Sequence, residues 1–159
     1  MTEQVQKNTE QTFGIQRLYL QDSSFESPNT PAIFAQEWQP ELNLELSTQA
    51  KPLENDHHHV QLKVTATAKV AGKVAFIAEV AYAGIFLIQN FEKEVHNQML
   101  GSFCPNVLYP YIRTIITNMV MEGGFPNLYL APVNFDALYM QQKERAAHEK
   151  NAVTSESVN

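Results

Sequence analysis

Three stretches in the middle of the sequence alternate apolar and polar side chains with a period of two. They run from Glu41 to Ser47, from Val60 to Val70 and from Val74 to Tyr82. In a β-strand, this period places alternate side chains on opposite faces. The three stretches therefore predict strands of an antiparallel sheet that has one apolar face.

The register between the last two of these strands can also be predicted. A loop of residues 71–73 pairs Val70 with Val74 and Ala68 with Phe76. This register aligns the apolar faces of the two strands, whereas a two-residue turn sets the apolar face of one against the mixed face of the other. The three-residue loop is therefore preferred.

A further strand is predicted near the N-terminus, from Thr12 to Leu20, because this stretch is rich in aromatic and β-branched residues. Its alternation breaks near Arg17, which predicts a bulge or bend. The following run, which ends in Ser-Pro-Asn-Thr-Pro at 27–31, has the composition of a loop.

A helix is predicted after Pro105, since proline is tolerated in the first turn of a helix. Its apolar residues recur at i, i+4, i+7, i+8 and i+11, and they are Leu108, Ile112, Ile115, Ile116 and Met119. Other sides of the helix are apolar too, so we expect it to lie between two layers, one of them another subunit. Pro110 predicts a kink or the true start of the helix, and Gly123-Gly124 followed by Pro126 predicts its end.

Two further helices flank this one in the sequence. A short helix is predicted between Glu92 and Phe103, and a last helix begins after the N-cap Asn134 and ends at about Ala147. Strands followed by helices predict an α+β fold: a four-stranded antiparallel sheet with helices packed on one face. The chain is predicted to be one domain with a folded core of about 12–147, and its polar ends, 1–11 and 148–159, are expected to be disordered.

Composition narrows the possible functions. The 159 residues carry a formal net charge of -6, which disfavours binding to the phosphate backbone of nucleic acids. The sequence contains neither a long apolar run nor a signal-peptide pattern, and its single cysteine allows no internal disulfide, so a cytoplasmic protein without direct membrane insertion is expected. Glycine-rich phosphate-binding motifs are missing, so neither ATP nor a dinucleotide is expected as a cofactor.

Two groups of residues could suggest a metal site or a catalytic site. His57, His58 and His59 resemble a metal tract, but neighbouring strand residues point to opposite faces and no second cluster completes a tetrahedral site. Cys104 with His96 could form a nucleophile and base, but a lone cysteine in an apolar context is usually a buried hydrophobic residue. We therefore expect neither a metal site nor an enzyme.

Several segments resemble the SecB family of protein-export chaperones. The strongest are Cys-Pro-Asn-Val-Leu-Tyr-Pro-Tyr at 104–111, Gly-Gly-Phe-Pro-Asn-Leu-Tyr-Leu at 123–130 and Ala-Pro-Val-Asn-Phe-Asp-Ala-Leu at 131–138. The resemblance covers about Thr12 to Tyr139. It implies a cytoplasmic, ATP-independent chaperone that holds unfolded preproteins and delivers them to the SecA translocase, and that assembles as a homotetramer, a dimer of dimers. A chaperone dedicated to one client, such as an antitoxin, is the alternative within this class.

The resemblance also implies two sites. The first is a groove for unfolded clients, flanked by the crossover after the first strand and by the connection between the main helices. The leucines of the second strand would form its floor. The alternating positions of the fourth strand would influence client binding from a subunit interface. The implied client-binding residues are Phe34, Trp38, Leu42, Leu44, Leu46, Phe76, Ala78, Val80, Tyr82, Phe125 and Tyr129. Simple core packing would also explain these residues. The implied contact for the zinc-binding tail of SecA is Asp22, Glu26, Ile77 and Glu79, and the zinc belongs to that partner.

Overall fold

A computed structural model describes residues 9–156 of the chain. The strands are β1 (Thr12–Glu26), β2 (Glu41–Pro52), β3 (His57–Val70) and β4 (Lys73–Gln89). The helices are α1 (Lys93–Gln98), α2 (Cys104–Glu122) and α3 (Phe135–Glu156), with a 3-10 turn at Ala32–Ala35 and a π-helical segment at Met99–Phe103 that joins α1 to α2. No helix in this part of the chain is both long and apolar enough to cross a membrane.

The strands of the described chain form one antiparallel sheet in the order β1-β4-β3-β2. This confirms the predicted α+β fold with a four-stranded antiparallel sheet. Strands β1 and β2 occupy opposite edges, so the segment between them, residues 27–40, crosses over the end of the sheet.

Strand β1 is longer than predicted, because it continues from Leu20 to Glu26. Its pairing with β4 shifts between Ile15 and Arg17, which confirms the predicted bulge, and shifts again between Leu20 and Asp22. The polar composition beyond Leu20 indicated a loop, but backbone pairing with β4 keeps this segment extended.

The hairpin between β3 and β4 differs from the prediction. Its turn consists of Ala71 and Gly72, whose φ angles are 51° and 78°. Val70 pairs with Lys73, so the predicted pairing of Val70 with Val74 is wrong. Two positive φ angles match the right-handed twist of the strands, which favours this tighter turn.

A bulge in β4 then restores the alignment of the apolar faces. Lys69 pairs with Val74 and Ala68 with Phe76, which leaves Ala75 as an extra residue in β4. The pairing of Ala68 with Phe76 is therefore confirmed. The extra residue changes the phase of the alternation by one position, so a two-residue turn becomes compatible with a common apolar face.

Helix α2 covers the apolar face of β3 and β4. Its buried residues are Cys104, Pro105, Leu108, Tyr109, Ile112, Ile116 and Val120. The predicted positions Ile115 and Met119 are only half-buried, because they lie on the flank of the helix beside the edge strand β1, where they line a depression with Phe25. Pro110 is exposed within α2 and is not its start.

Helix α3 begins as predicted but ends later. The side chain of Asn134 caps it, accepting a hydrogen bond from the backbone N–H of Ala137 at 3.0 Å. The predicted end at about Ala147 is wrong, since the helix continues to Glu156. From Met140 onward the described side chains are exposed, so helix-forming composition rather than tertiary packing accounts for the extension.

Candidate functional site

An aromatic cluster lies at the end of the sheet where α2 terminates. Phe125, in the connection after α2, is at its centre, with ring centroids 5.1 Å from Phe34, 5.6 Å from Trp38 and 5.3 Å from Phe76. The crossover segment supplies Phe34 and Trp38, and β4 supplies Phe76. Three distant parts of the sequence thus converge on one site, as the resemblance implied for Phe34, Trp38 and Phe125.

The cluster forms a cleft with a buried floor and an open rim. The cleft has a volume of ≈ 470 Å³ and is lined by Ile33, Phe34, Gln36, Trp38, Gly124, Phe125 and Pro126. Phe125 is 6% exposed, whereas Phe34 is 51% exposed. A rim phenylalanine left half in water is available to cover an apolar group that enters the cleft.

Gly124 allows the crossover to approach this closely. Its φ is +83°, in the left-handed region that glycine tolerates. A Cβ at this position would lie 3.4 Å from the Phe34 ring. The stop signal Gly123-Gly124, read from the sequence as the end of a helix, therefore also shapes one wall of the cleft.

The three leucines of β2 lie beside this cluster on the helix-covered face of the sheet. Leu42 pairs with Ala68, which in turn pairs with Phe76, so these residues form one row across the sheet. Leu42 is 44% exposed, while Leu44 and Leu46 are half-buried against the core. Because β2 is an edge strand, this row extends the apolar surface to the edge of the sheet.

The alternating positions of β4 do not form an open surface. Phe76, Ala78 and Val80 are at most 1% exposed in the single chain. In this conformation, they offer surface neither to a client nor to a second subunit, and any influence on binding has to be indirect. Tyr82 is half-buried and stacks on Tyr111 of α2, with ring centroids 5.2 Å apart.

Tyr129 lies outside the aromatic cleft. It is 78% exposed and lines a separate depression of ≈ 380 Å³ beside α2. The connection that carries it is held along α2 by hydrogen bonds from the Tyr109 hydroxyl to the carbonyl of Ala131 and from the Thr117 hydroxyl to that of Leu128. Tyr129 and Phe125, which the resemblance groups in one site, thus line two different depressions.

The opposite face of the sheet carries the four residues that the resemblance implied for SecA. Glu26 pairs with Ile77, and Asp22 pairs with Ala81, so the side chains of β1 and β4 share this face. Asp22 and Glu26 are exposed, whereas Ile77 and Glu79 are half-buried. We call Asp22, Glu26, Ile77 and Glu79 together the acidic face.

The sequence analysis missed two partners of Glu79. The Lys63 ammonium lies 3.3 Å from one carboxylate oxygen, and the Thr65 hydroxyl donates a hydrogen bond of 2.9 Å to the other. Thr65 pairs directly with Glu79 across the strands, so the correct register would have identified it. Glu79 is therefore oriented and partly neutralised, while Asp22 and Glu26 supply the outward negative charge.

The histidine tract alternates faces, as its position in a strand predicts. His58 lies on the helix-covered face, whereas His57 and His59 lie on the acidic side of the sheet. The Nε2 atom of His59 is 2.6 Å from the Tyr19 hydroxyl, which links β3 to β1 across β4. Within residues 9–156, no cluster of three or more His, Cys, Asp or Glu side chains is placed to hold a metal ion.

Cys104 is buried at the start of α2, and burial raises the pKa of its thiol to about 12. Almost no thiolate is therefore present at neutral pH, and the thiolate is the nucleophilic form. The ring of His96 contacts the ring of His58. This environment is that of a structural cysteine.

We expect native protein at pH 8 to leave Cys104 unmodified by a maleimide reagent over a time in which a small-molecule thiol reacts completely. Burial blocks access, and the raised pKa suppresses the thiolate. Mass spectrometry after the reaction measures the labelled fraction, and the same protein in concentrated urea is the control that should label fully. Rapid labelling of the native protein would contradict the burial of this thiol.

Comparison with known proteins identifies the family of this chain. The family model described as preprotein translocase subunit SecB matches residues 6–146. The protein-export protein SecB of Pseudomonas fluorescens strain SBW25 is 50% identical over 150 residues, covering 91% of this chain and 94% of that protein. Its counterpart in Legionella pneumophila strain Philadelphia 1 is 48% identical over 161 residues, covering 98% and 99%.

A solved structure shares the fold at low sequence identity. It is the SecB-like chaperone of Mycobacterium tuberculosis in complex with a peptide from an antitoxin, with a TM-score of 0.59 and 19% identity over 76% of this chain and 90% of that one. The family model and the curated relatives cover most of the sequence, including both of the surfaces described above. The chain belongs to the SecB family of protein-export proteins.

Proposed function

We propose that this protein is a holding chaperone, which binds unfolded preproteins in the cytoplasm without ATP and delivers them to SecA. The observation that carries the proposal is the separation of two surfaces on one sheet. An aromatic cleft lies at the helix-covered side, and the acidic face lies on the other. A client and a docking partner can therefore be bound at the same time.

The cleft is suited to apolar side chains of varied shape. A volume of ≈ 470 Å³ accommodates one or two large side chains of an extended segment. Aromatic rings supply apolar contact area with little directional demand, so binding depends on hydrophobicity more than on a particular sequence. Folded proteins hide such side chains, so fast-folding chains escape and slow-folding ones are captured.

Homotetramer formation, as a dimer of dimers, is part of the proposal. Val107, Tyr111, Ile115 and Met119 follow one another at i, i+4, i+8 and i+12 along the flank of α2 beside the edge strand β1. Tyr111 is 45% exposed, and Leu20 on the neighbouring edge strand is 46% exposed. An apolar stripe of this kind is typical of a surface covered by another subunit. Four clefts in one assembly would strengthen client binding through avidity.

The acidic face supports docking to the zinc-binding tail of SecA. Asp22 and Glu26 project negative charge from β1, and half-buried Ile77 provides an apolar contact beside Glu26 and Glu79. A small apolar centre within a charged ring is a common arrangement for a binding hot spot. Such a surface attracts a basic partner and repels nucleic acid.

The cleft can be tested with the double variant Phe34→Ala and Trp38→Ala. Complete burial of each side chain against a client contributes roughly 1.5–3 kcal/mol to binding. Avidity reduces the effect of these losses, so we expect client affinity to fall by about tenfold or more. The measurement is retardation of preprotein refolding as a function of chaperone concentration.

Tyr129→Ala is the matched control, because it removes an exposed aromatic ring outside the cleft. It should retard refolding as well as the wild type does. A thermal melt of each variant separates loss of binding from loss of fold. Normal retardation by a well-folded double variant would show that clients bind elsewhere.

A further inference from the structure

The rings of His58 and His96 pack against each other, with centroids 4.7 Å apart and planes at 70°. His58 lies at the start of β3 on the helix-covered face, and His96 lies in the six-residue helix α1. This contact therefore connects α1 directly to the sheet. Both side chains are half-buried, so the contact is shielded in part from solvent.

We propose that His58 and His96 form an acid-sensitive latch, which holds α1 against the sheet when both imidazoles are neutral and releases it when both are protonated. Two imidazolium ions at this separation repel each other, and partial burial weakens the screening by water. Apart from this contact, α1 has no fully buried residue of its own, and within the described chain its side chains are tied to α3 only by exposed contacts, an ion pair of Glu94 with Lys143 and a hydrogen bond of Gln98 to Asp136.

The surroundings of His58 give little support to a positive charge. Its Nδ1 atom is buried without a hydrogen bond of good geometry among the described residues, and the backbone carbonyl of Asp56 offsets only part of the cost of charging the ring. The strands beside it contribute Pro52 from β2 and Phe86 from β4, which carry no charge. A neutral ring fits this environment better than a charged one.

The charged groups near the pair act in both directions. Asp56 favours the protonated form of His58, while His57 disfavours it; burial, followed by the charge of His96, outweighs Asp56 and lowers the pKa of His58. Asp56 also accepts a hydrogen bond from the Gln89 side chain at 3.3 Å. Exposed Glu92 lies just before α1, and on α1 itself Lys93 and Glu94 have opposite charges, with Glu94 paired to Lys143 of α3 at 3.3 Å.

Release of α1 would open a cleft between α1 and the start of α3. This cleft has a volume of ≈ 640 Å³, and α1 contributes Val95 and Gln98 to one wall. The start of α3 contributes Phe135 and Asp136 to the other wall. Since Val95 immediately precedes His96 in the sequence, movement of the latch moves this wall.

The sign of the pH dependence follows from the lowered pKa of His58. The released form binds more protons than the latched form, so the latch is fully stable above the ordinary histidine pKa of 6.5 and weakens as pH falls through the lower pKa of the latched form. For each additional proton that the released form binds, the equilibrium constant for opening of α1 rises by at most about tenfold as pH falls by one unit.

The test is hydrogen exchange of the peptide that contains α1, measured by mass spectrometry on the full-length assembled protein at pH 7.5 and 5.5, with correction for intrinsic exchange rates. In the wild type, we expect opening of α1 to rise by up to about tenfold at the lower pH. His96→Gln should remove most of this rise. His148→Gln, which replaces an exposed histidine on α3, should behave as the wild type does.

A second measurement keeps the proposal testable if His96→Gln disturbs α1. Carbon-13-labelled histidine allows the His58 titration to be followed by NMR in the presence of a chelator. The pKa of His58 should be higher in His96→Gln than in the wild type. The latch would be overturned by an unchanged His58 pKa or by an equal acid response in His96→Gln. An acid response of α1 seen only without chelator would also overturn it and would indicate a metal-bridged pair instead.

Discussion

Replacement of Ile112 by aspartate should unfold the subunit rather than separate intact subunits. Ile112 is 0% exposed in the single chain, and it packs between α2 and the sheet. A carboxylate there has no partner, and burying it unpaired costs several kcal/mol, a large part of a typical stability of about 5–15 kcal/mol. The sequence predicts that α2 lies between two layers without fixing which flank faces which, and the structure shows that Ile112 and Ile116 are both buried against their own sheet.

The matched control is Tyr111→Asp, one position along the same helix. Tyr111 is 45% exposed and lies on the apolar stripe of α2, where its only ring contact among the described residues is the stack on half-buried Tyr82. If this stripe forms the subunit interface, the variant should remain folded but yield dimers or monomers. Circular dichroism and light scattering distinguish the two outcomes. A folded dimer of Ile112→Asp would contradict the packing described above, and a folded wild-type monomer at micromolar concentration would contradict the tetramer.

Reversal of two charges on the acidic face should nearly abolish binding of the isolated SecA tail. In the double variant Asp22→Lys and Glu26→Lys, attraction of a basic partner becomes repulsion at two exposed positions. We expect affinity to fall by about tenfold to a hundredfold at low salt, because such contacts act mainly through electrostatic complementarity. Calorimetric titration measures the affinity, and the wild-type affinity should itself fall as salt rises.

The matched control changes the net charge equally, but on α3. Glu144→Lys with Glu149→Lys reverses two exposed carboxylates away from the acidic face, so tail binding should stay close to that of the wild type. Client holding should survive in both double variants, since the aromatic cleft lies on the other side of the sheet. Unchanged tail affinity after reversal of Asp22 and Glu26 would remove these residues from the site.

Glu79 is a poorer choice for this experiment than Asp22 or Glu26. Its carboxylate already contacts Lys63 and Thr65, so reversal would place two lysines side by side on the sheet. A loss of tail binding could then come from a local rearrangement. The ion pair and hydrogen bond that distinguish Glu79 from Asp22 and Glu26 were not visible in the sequence, where all three appear as ordinary acidic residues.

The sequence by itself determined the sheet and its buried face. Strand β3 shows this most clearly, since every residue predicted to face inward is buried: Val60, Leu62, Val64, Ala66, Ala68 and Val70. Alternation is a local property of the chain, because neighbouring side chains of a strand necessarily point to opposite faces. The same local logic predicted the N-cap Asn134 and the bulge near Arg17, which depend on residues adjacent in sequence.

Only the tertiary structure decided which distant segments meet. The contact of His58 with His96, the partners of Glu79 and the exclusion of Tyr129 from the cleft depend on pairings between elements far apart in the chain. The flank of α2 that faces the sheet was equally undetermined, because apolar residues surround much of that helix. The pattern along one segment predicts which side chains are buried, whereas packing against other segments determines which residues cover them.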